Sequence, residues 1–285
     1  MKALQPVLRY PGAKWGIAPW IIHHFPVHEA YVEPFFGSGA VLLRKSISRT
    51  ELVNDIDGNV CAFFRVLRDR PEDLARSLAL TPYAREELHL ARADDVAPDD
   101  DLEKARRLAI ACWQTRGGAL NRRHPGWRFD IHGAATKSLA ATWAMLPERV
   151  VLAAARFQRV AIENRPALHV LELARERGRE TLIYADPPYL GRRLPNGGAA
   201  QQFRLYLHEM SEAEHIELLE ALDRHPGPVV LSSYPSTLYS ERLAHWSSVM
   251  RTTKNQVNEN RTEVLWLNPV AARQIALPLA FEVPA

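Results

Sequence analysis

The segment Asp186-Pro187-Pro188-Tyr189 carries residue types that folding alone does not require. It follows the apolar run Thr181–Ala185, which reads as a buried strand. Two consecutive prolines cannot donate to a strand ladder, so the strand must end there in a stiff, extended loop. Ligands of open α/β sheets bind beyond the carboxyl ends of the strands. The loop therefore offers one carboxylate, two fixed carbonyls and one aromatic face in a rigid order. A plain turn after a buried strand would need neither the Asp nor the Tyr.

A second candidate is Tyr31-Val32-Glu33-Pro34-Phe35-Phe36-Gly37-Ser38-Gly39-Ala40-Val41, read as a strand, a two-glycine turn and a helix start. The glycines allow close backbone approach to a ligand, and the helix start would present free N–H groups. The pattern departs from the dinucleotide fingerprint, because Leu42 stands where a third Gly or Ala is wanted. The next strand ends in Val53-Asn54-Asp55-Ile56-Asp57, where an acidic residue commonly grips ribose hydroxyls. The competing role for Asp55 is a helix N-cap.

These segments need a scaffold that brings strand ends together. Short apolar runs predict strands at Tyr31–Glu33, Glu51–Val53, Val160–Ile162, Thr181–Ala185, Val229–Ser233, Ser247–Met250 and Val264–Leu267. Helical patterns lie between them near Val41–Ser46, Asn59–Asp69, Leu168–Arg177, Ala213–Arg224 and Thr237–Ala244, with Ser211 and Glu214 spaced as a capping box. The stretch from about Pro71 to Arg149 shows no strand repeat and reads as an inserted, mostly helical subdomain. The expected class is α/β, with a catalytic domain over 1–70 and 150–285 and the insertion over 71–149.

Composition sets the outer bounds. The 285 residues hold 36 basic and 33 acidic side chains, and 47% are apolar, an ordinary globular balance. Two cysteines exclude a disulfide-stapled scaffold and suggest a reducing compartment; Cys61 and Cys112 read as core residues. No apolar run reaches the roughly 18 residues of a membrane span, and the N-terminal sequence lacks the apolar stretch of a signal peptide. The histidines and cysteines show no metal-ligand spacing, so no metal is expected. No phosphate-cradling Gly-x-x-x-x-Gly-Lys loop or Gly-x-Ser-x-Gly elbow occurs, so phosphoryl and acyl transfer find no support.

Charge is unevenly distributed. Eight carboxylates against Arg92 alone lie between Glu86 and Glu103; seven basic residues and no acid follow from Lys104 to Arg128. The second block also carries Trp113, Trp127, Gly117, Gly118, Asn121 and His124, a mixture suited to a polyanion. The alternative is two solvated faces of opposite charge.

Together the motifs resemble those of the Dam-like, D12 class adenine-N6 DNA methyltransferases, with a Rossmann-like sheet. Leu8-Arg9-Tyr10-Pro11-Gly12-Ala13-Lys14-Trp15 is similar to the family's N-terminal cofactor motif, with Ala13 where a second glycine is common. Glu33–Gly39 resembles the loop under the cofactor's methionine moiety, Asn54–Asp57 the ribose-binding acid, and Val160–Asn164 the third cofactor strand. Asp186–Tyr189 resembles the catalytic loop and Arg261–Asn268 the closing strand. The resemblance implies S-adenosylmethionine as cofactor, held by Tyr10, Gly12, Lys14, Glu33, Pro34, Phe35, Gly37, Gly39, Asp55, Asn164 and Asp186. It implies catalysis by Asp186, Pro187, Pro188 and Tyr189, and identifies the insertion as a target-recognition domain.

The residue types fit that chemistry. The exocyclic amine of adenine is a poor nucleophile because its lone pair is delocalised into the ring. Acceptance of its two N–H bonds by Asp186 and the Pro187 carbonyl would direct the lone pair for in-line methyl transfer. Tyr189 would stack on a base flipped from double-stranded DNA. The Gly- and Arg-rich segment Gly191–Gly198 reads either as a closing segment or as a surface loop. Gly117-Gly118-Ala119 replaces the family's aromatic-Asn-Gly element, so the family's GATC target is not carried over. Arg116, Asn121, Arg122 and Arg123 are the DNA-binding candidates, with Arg122 as guanine reader and Arg123 on phosphate. Competing readings are adenine methylation of structured RNA, a dinucleotide-dependent oxidoreductase and a catalytically silent DNA-binding module. The resemblance implies a cytoplasmic, nucleoid-associated monomer.

Overall fold

A computed structural model of the chain describes residues 3–93, 99–116, 126–129, 138–190, 207–254 and 260–276. Helix α1 (Ala18–His23) precedes strands β1 (Ala30–Glu33) and β2 (Thr50–Asn54). Six helices follow: α2 (Gly58–Asp69), α3 (Pro71–Leu80), α4 (Arg85–Ala91), α5 (Asp101–Gln114), α6 (Leu139–Ala144) and α7 (Leu146–Phe157). Then come β3 (Val160–Glu163), α8 (Ala167–Arg177), β4 (Thr181–Ala185), α9 (Glu212–Asp223), β5 (Val229–Ser233), α10 (Thr237–Arg242), β6 (Ser247–Lys254), β7 (Asn260–Leu267) and α11 (Pro269–Ala276).

All seven predicted strands join one sheet in the order β3-β2-β1-β4-β5-β7-β6. The first five positions are parallel, and β7 runs antiparallel between β5 and β6. Strands β4 and β5 are buried along their whole length, which is why their sequences are almost continuously apolar. Chain order proceeds outward from β1 through β2 to β3, then restarts at β4 on β1's other side. This reversal opens a crevice at the carboxyl ends of β1 and β4, where α/β sheets receive ligands. Glu33 ends β1, and Asp186 directly follows β4.

The helix expected near Val41–Ser46 is a series of turns instead. Leu43 and Lys45 donate backbone N–H groups four residues back, to Gly39 and Val41, so one helical turn does form. Lys45 then ends it: its Nζ reaches the Ser46 carbonyl, Ser48 Oγ and Glu51 Oε1, each at 2.7 Å, and ties the chain to β2. Glu51 is also gripped by both terminal nitrogens of Arg156 from α7, making a buried three-residue ionic cluster.

The residues between β2 and β3 share the sheet's own core. Leu74, Leu108, Trp143 and Val150 pack in one cluster with Val53, Phe64 and Tyr184, while a second cluster around Val170, Leu218 and Trp246 covers the other sheet face. Within this stretch an isolated antiparallel bridge joins Thr115 to Trp127. Arg116 N donates to the Gly126 carbonyl and Arg128 N to the Gln114 carbonyl, both at 2.7 Å. Among the described residues no helix is long and apolar enough to cross a membrane, and no His, Cys, Asp and Glu side chains gather as a metal site.

Candidate active site

The carboxyl end of β2 is held from three sides. Asn54 Nδ2 donates to the carbonyls of Pro34 (2.9 Å) and Arg165 (3.0 Å), and its Oδ1 accepts from Arg165 N. Asn164 Nδ2 donates to the carbonyls of Asp55 (2.7 Å) and Ile56 (3.1 Å). Cys61 Sγ, in the core as expected, also approaches the Asp55 carbonyl. The cap of α2 is Asp57, whose Oδ1 accepts from Asn59 N, so Asp55 is not the N-cap. Its carboxylate instead receives Gly37 N on Oδ2 (2.8 Å) and Asp57 N on Oδ1 (2.9 Å). Burial pushes the Asp55 carboxyl up to about 6, against those two N–H groups, which favour the anion.

The turn between β1 and β2 brings backbone close to side chains. Gly37 has φ +50°, and a Cβ there would lie 3.2 Å from Cδ1 of Tyr10. At Gly39, φ is +65° and a Cβ would meet Phe36 Cζ at 2.7 Å. Both positions require glycine, the first to keep Tyr10 in place and the second to let Phe36 fold beneath the turn.

Across the crevice, Lys14 Nζ lies 3.0 Å from Asp186 Oδ1 and also donates to the Gly12 carbonyl at 3.0 Å. The ammonium stands 4.6 Å from the centre of the Tyr189 ring, an attractive cation–π arrangement. Tyr189 Oη donates to Glu263 Oε2 at 2.8 Å, and its ring meets Tyr234 edge-on, centroids 4.3 Å apart. Glu33 is buried and accepts from Tyr31 Oη at 2.8 Å. Burial raises Asp186, Glu33 and Glu263 above the ordinary carboxylate range. The Lys14 charge opposes that rise at Asp186 and Glu263, while the neighbouring Asp186 charge reinforces it at Glu33 and Glu263. Perturbed carboxylates gathered at a cleft are a common mark of functional sites.

A cleft of about 610 Å³ occupies this crevice. It is lined by Tyr10, Gly12, Lys14, Glu33, Pro34, Phe35, Gly37, Asp55, Asp186 and Pro188 from the sequence-selected residues. Gly39, Asn164, Pro187 and Tyr189 do not line it; Gly39 and Pro187 are buried, Asn164 is exposed and Tyr189 half-buried. The rest of the wall includes Ile56, Pro166, Leu168, His208 and Met210, which the sequence reading did not select. Pro166 and Leu168 follow β3 just as Asp55 follows β2, so strand-end position could have found them. Glu263, on an antiparallel strand 74 residues after Tyr189, had no local signal.

Of the DNA-binding candidates, Arg116 is exposed beside the Thr115–Trp127 bridge. Asn121, Arg122 and Arg123 lie outside the described residues, as does Gly191–Gly198. The basic block is partly neutralised by the acidic run before it. Arg106 pairs with Glu87 and Glu103, Arg107 with Glu103, and Lys104 with Asp101. These three cations stabilise the α4–α5 region rather than facing a ligand alone.

The fold class agrees with the comparisons. The model of the D12 class N6 adenine-specific DNA methyltransferase family matches residues 10–116, from the Lys14 turn through Asp55 to the end of α5. The chain is similar to the "DNA adenine methylase" of Escherichia coli (strain K12) and to that of Salmonella typhi, each 30% identical over 77 residues. The aligned stretch spans 27% of this chain and about a quarter of each relative's length. The family resemblance carried by the motifs is therefore borne out, by a D12 class N6 adenine-specific DNA methyltransferase match over residues 10–116.

Proposed function

We propose that this protein methylates the exocyclic N6 of adenine in duplex DNA at a short specific sequence, using S-adenosylmethionine and a flipped base. The observation that carries the reading is the meeting of Asp186, outside the matched region, with Lys14, inside it, on one cleft at the reversal of strand order. The cleft has the size of a nucleoside-containing ligand's pocket. Its residues suit S-adenosylmethionine: the Asp55 carboxylate can accept from ribose hydroxyls, Gly37 leaves room where a Cβ would press on Tyr10, and Glu33 supplies a buried carboxyl group. When bound, the cofactor supplies a methyl group activated on a cationic sulfur.

The chain's own part is positioning and electrostatics. Asp186 and the Pro187 carbonyl accept the two N–H bonds of the target amine, concentrating its lone pair toward the cleft. Lys14 favours the Asp186 anion against the burial that disfavours it. Tyr189, fixed through its hydroxyl by Glu263, presents a ring face to the base. The 71–149 stretch serves target recognition, with Arg116, Asn121, Arg122 and Arg123 as its contacts. Labelled S-adenosylmethionine offered with unmethylated duplex DNA, structured RNA or no acceptor tests the reading. Transfer to adenine of DNA supports it; transfer to RNA alone establishes the competing polymer, and no transfer to either defeats the proposed activity.

A further inference from the structure

The antiparallel pair β6–β7 is longer than the sheet that carries it. Strand β7 pairs with β5 only from Leu267 back to Val264, opposite Ser233. Its pairing with β6 continues through Glu263, Thr262, Arg261 and Asn260, opposite Arg251, Thr252, Thr253 and Lys254. At about 3.3 Å per residue, the ribbon projects roughly 13 Å past β5, on the side where the catalytic loop lies. A ribbon of that length carrying Arg251, Thr252, Arg261 and Thr262 has residue types that contact phosphates.

Alternation along the strand sorts its side chains. Leu265, Glu263 and Arg261 share one face of β7, and Arg251 stands opposite Glu263 on that same face. Moving outward, Leu265 lies in the core, Glu263 is buried against the Tyr189 hydroxyl, and Arg261 is exposed. Arg261 is anchored beside the catalytic loop, its Nη1 donating to Tyr234 Oη at 2.7 Å, and Tyr234 touches Tyr189. Exposed Arg251 rests over the ring of Trp20, 5.9 Å from its centre, in the helix that follows the Lys14 turn. Two oriented guanidinium groups thus flank the catalytic residues from the ribbon, while the intervening acid is turned inward.

We infer that the projecting β6–β7 ribbon is a second DNA-backbone contact surface, with Arg251 and Arg261 each engaging a phosphate near the target base. This rests on the duplex-DNA reading above. An enzyme that extracts a base must hold the flanking backbone close to its mouth, and the ribbon reaches there from a different element than the recognition insertion.

Binding of a fluorescent 30-base-pair duplex of random sequence, followed by anisotropy across a KCl series, tests the inference. Each lost phosphate contact lowers the salt slope by about 0.9. The double variant Arg251→Ala/Arg261→Ala should therefore lose about two slope units, so that wild-type affinity falls about twelve-fold more than the variant's between 50 and 200 mM salt. Arg251→Lys and Arg261→Lys should keep the slope, which separates charge from loss of the Trp20 and Tyr234 contacts. Arg49→Ala, just before the amino end of β2, at the end of the sheet away from the crevice, and paired with Glu29, serves as the control and should change nothing. A wild-type slope in the double alanine variant overturns the inference while leaving the DNA reading intact. Failure of the wild-type protein to bind duplex at low salt overturns both.

Discussion

Lys14 Nζ and Asp186 Oδ1, 172 positions apart in sequence, form a 3.0 Å ion pair across the switch point of the sheet. The pair sets a positive charge beside a largely buried carboxylate. Burial raises its pKa, and the ammonium works against that rise. Lys14→Met should therefore move the acidic limb of the methyl-transfer rate profile to higher pH, because Asp186 would take up a proton more readily. A profile that keeps its acidic limb would place the titrating group elsewhere.

Asp186→Ala should reduce methyl transfer about 100-fold or more, the scale of losing one preorganised polar contact in a transition state. The melting temperature should change little, since the residue sits on a loop and its burial as a charge is itself unfavourable. Single-turnover rates beside thermal melts check both halves of the expectation.

The Asp55 carboxyl, pushed up to about 6 from an ordinary 3.8, should make binding of the proposed cofactor pH-dependent. Hydrogen bonds from ribose hydroxyls favour the anion, so affinity should fall as pH drops below about 6 and level off above it. For the ligand-free protein the sign is reversed. A raised folded pKa gives a stabilising contribution that is complete below about 3.8 and lost as pH rises through about 6. Asp55→Ala should weaken binding by roughly 1.5–3 kcal/mol, the worth of hydrogen bonds to a charged group. Calorimetry with S-adenosylhomocysteine at pH 5 to 8 measures all of this.

Gly37→Ala should cost about 1–2 kcal/mol of stability, from the left-handed backbone at φ +50°. The added Cβ, 3.2 Å from the Tyr10 ring, should also displace that ring from the cleft wall and weaken cofactor binding. A thermal melt and a binding isotherm on the same sample separate the two effects.

The buried Lys45–Glu51–Arg156 cluster predicts a purely structural lesion. Arg156→Met leaves Glu51 with one cation in the interior and should destabilise the fold by about 3–5 kcal/mol. Denaturant midpoints would show it, and cofactor affinity measured below the transition should be nearly unchanged.

Much of this site was legible in the sequence because parallel sheets place chemistry at strand ends. Asp186 and Asp55 each follow an apolar run, and periodicity alone located both runs. The Gly37–Gly39 turn was legible for a similar reason, since glycine pairs mark positions where backbone must pass close to something. What failed was the helix after that turn. Its apolar residues Val41, Leu42 and Leu43 are buried as a helix would bury them, but the pattern cannot show Lys45 being pulled toward Glu51. Long-range partnership was equally hidden. Nothing near Tyr189 announces Glu263, and the basic residues of α5 read as ligand-facing until the acids of α4 and its own first turn appear beside them.

The core shared by helices α3 to α7 and the sheet has a consequence for the proposal that the 71–149 stretch selects the target. Exchanging the whole 71–149 stretch for that of a relative would strip Leu74, Leu108 and Trp143 from the cluster they share with Val53 and Phe64 and tear open the hydrophobic interior. The Thr115–Trp127 bridge offers a narrower seam, since its two flanking hydrogen bonds are backbone-only and indifferent to side-chain identity. Chimeras spliced at that seam should retain the parent's melting behaviour, whereas wholesale insert transplants should not fold.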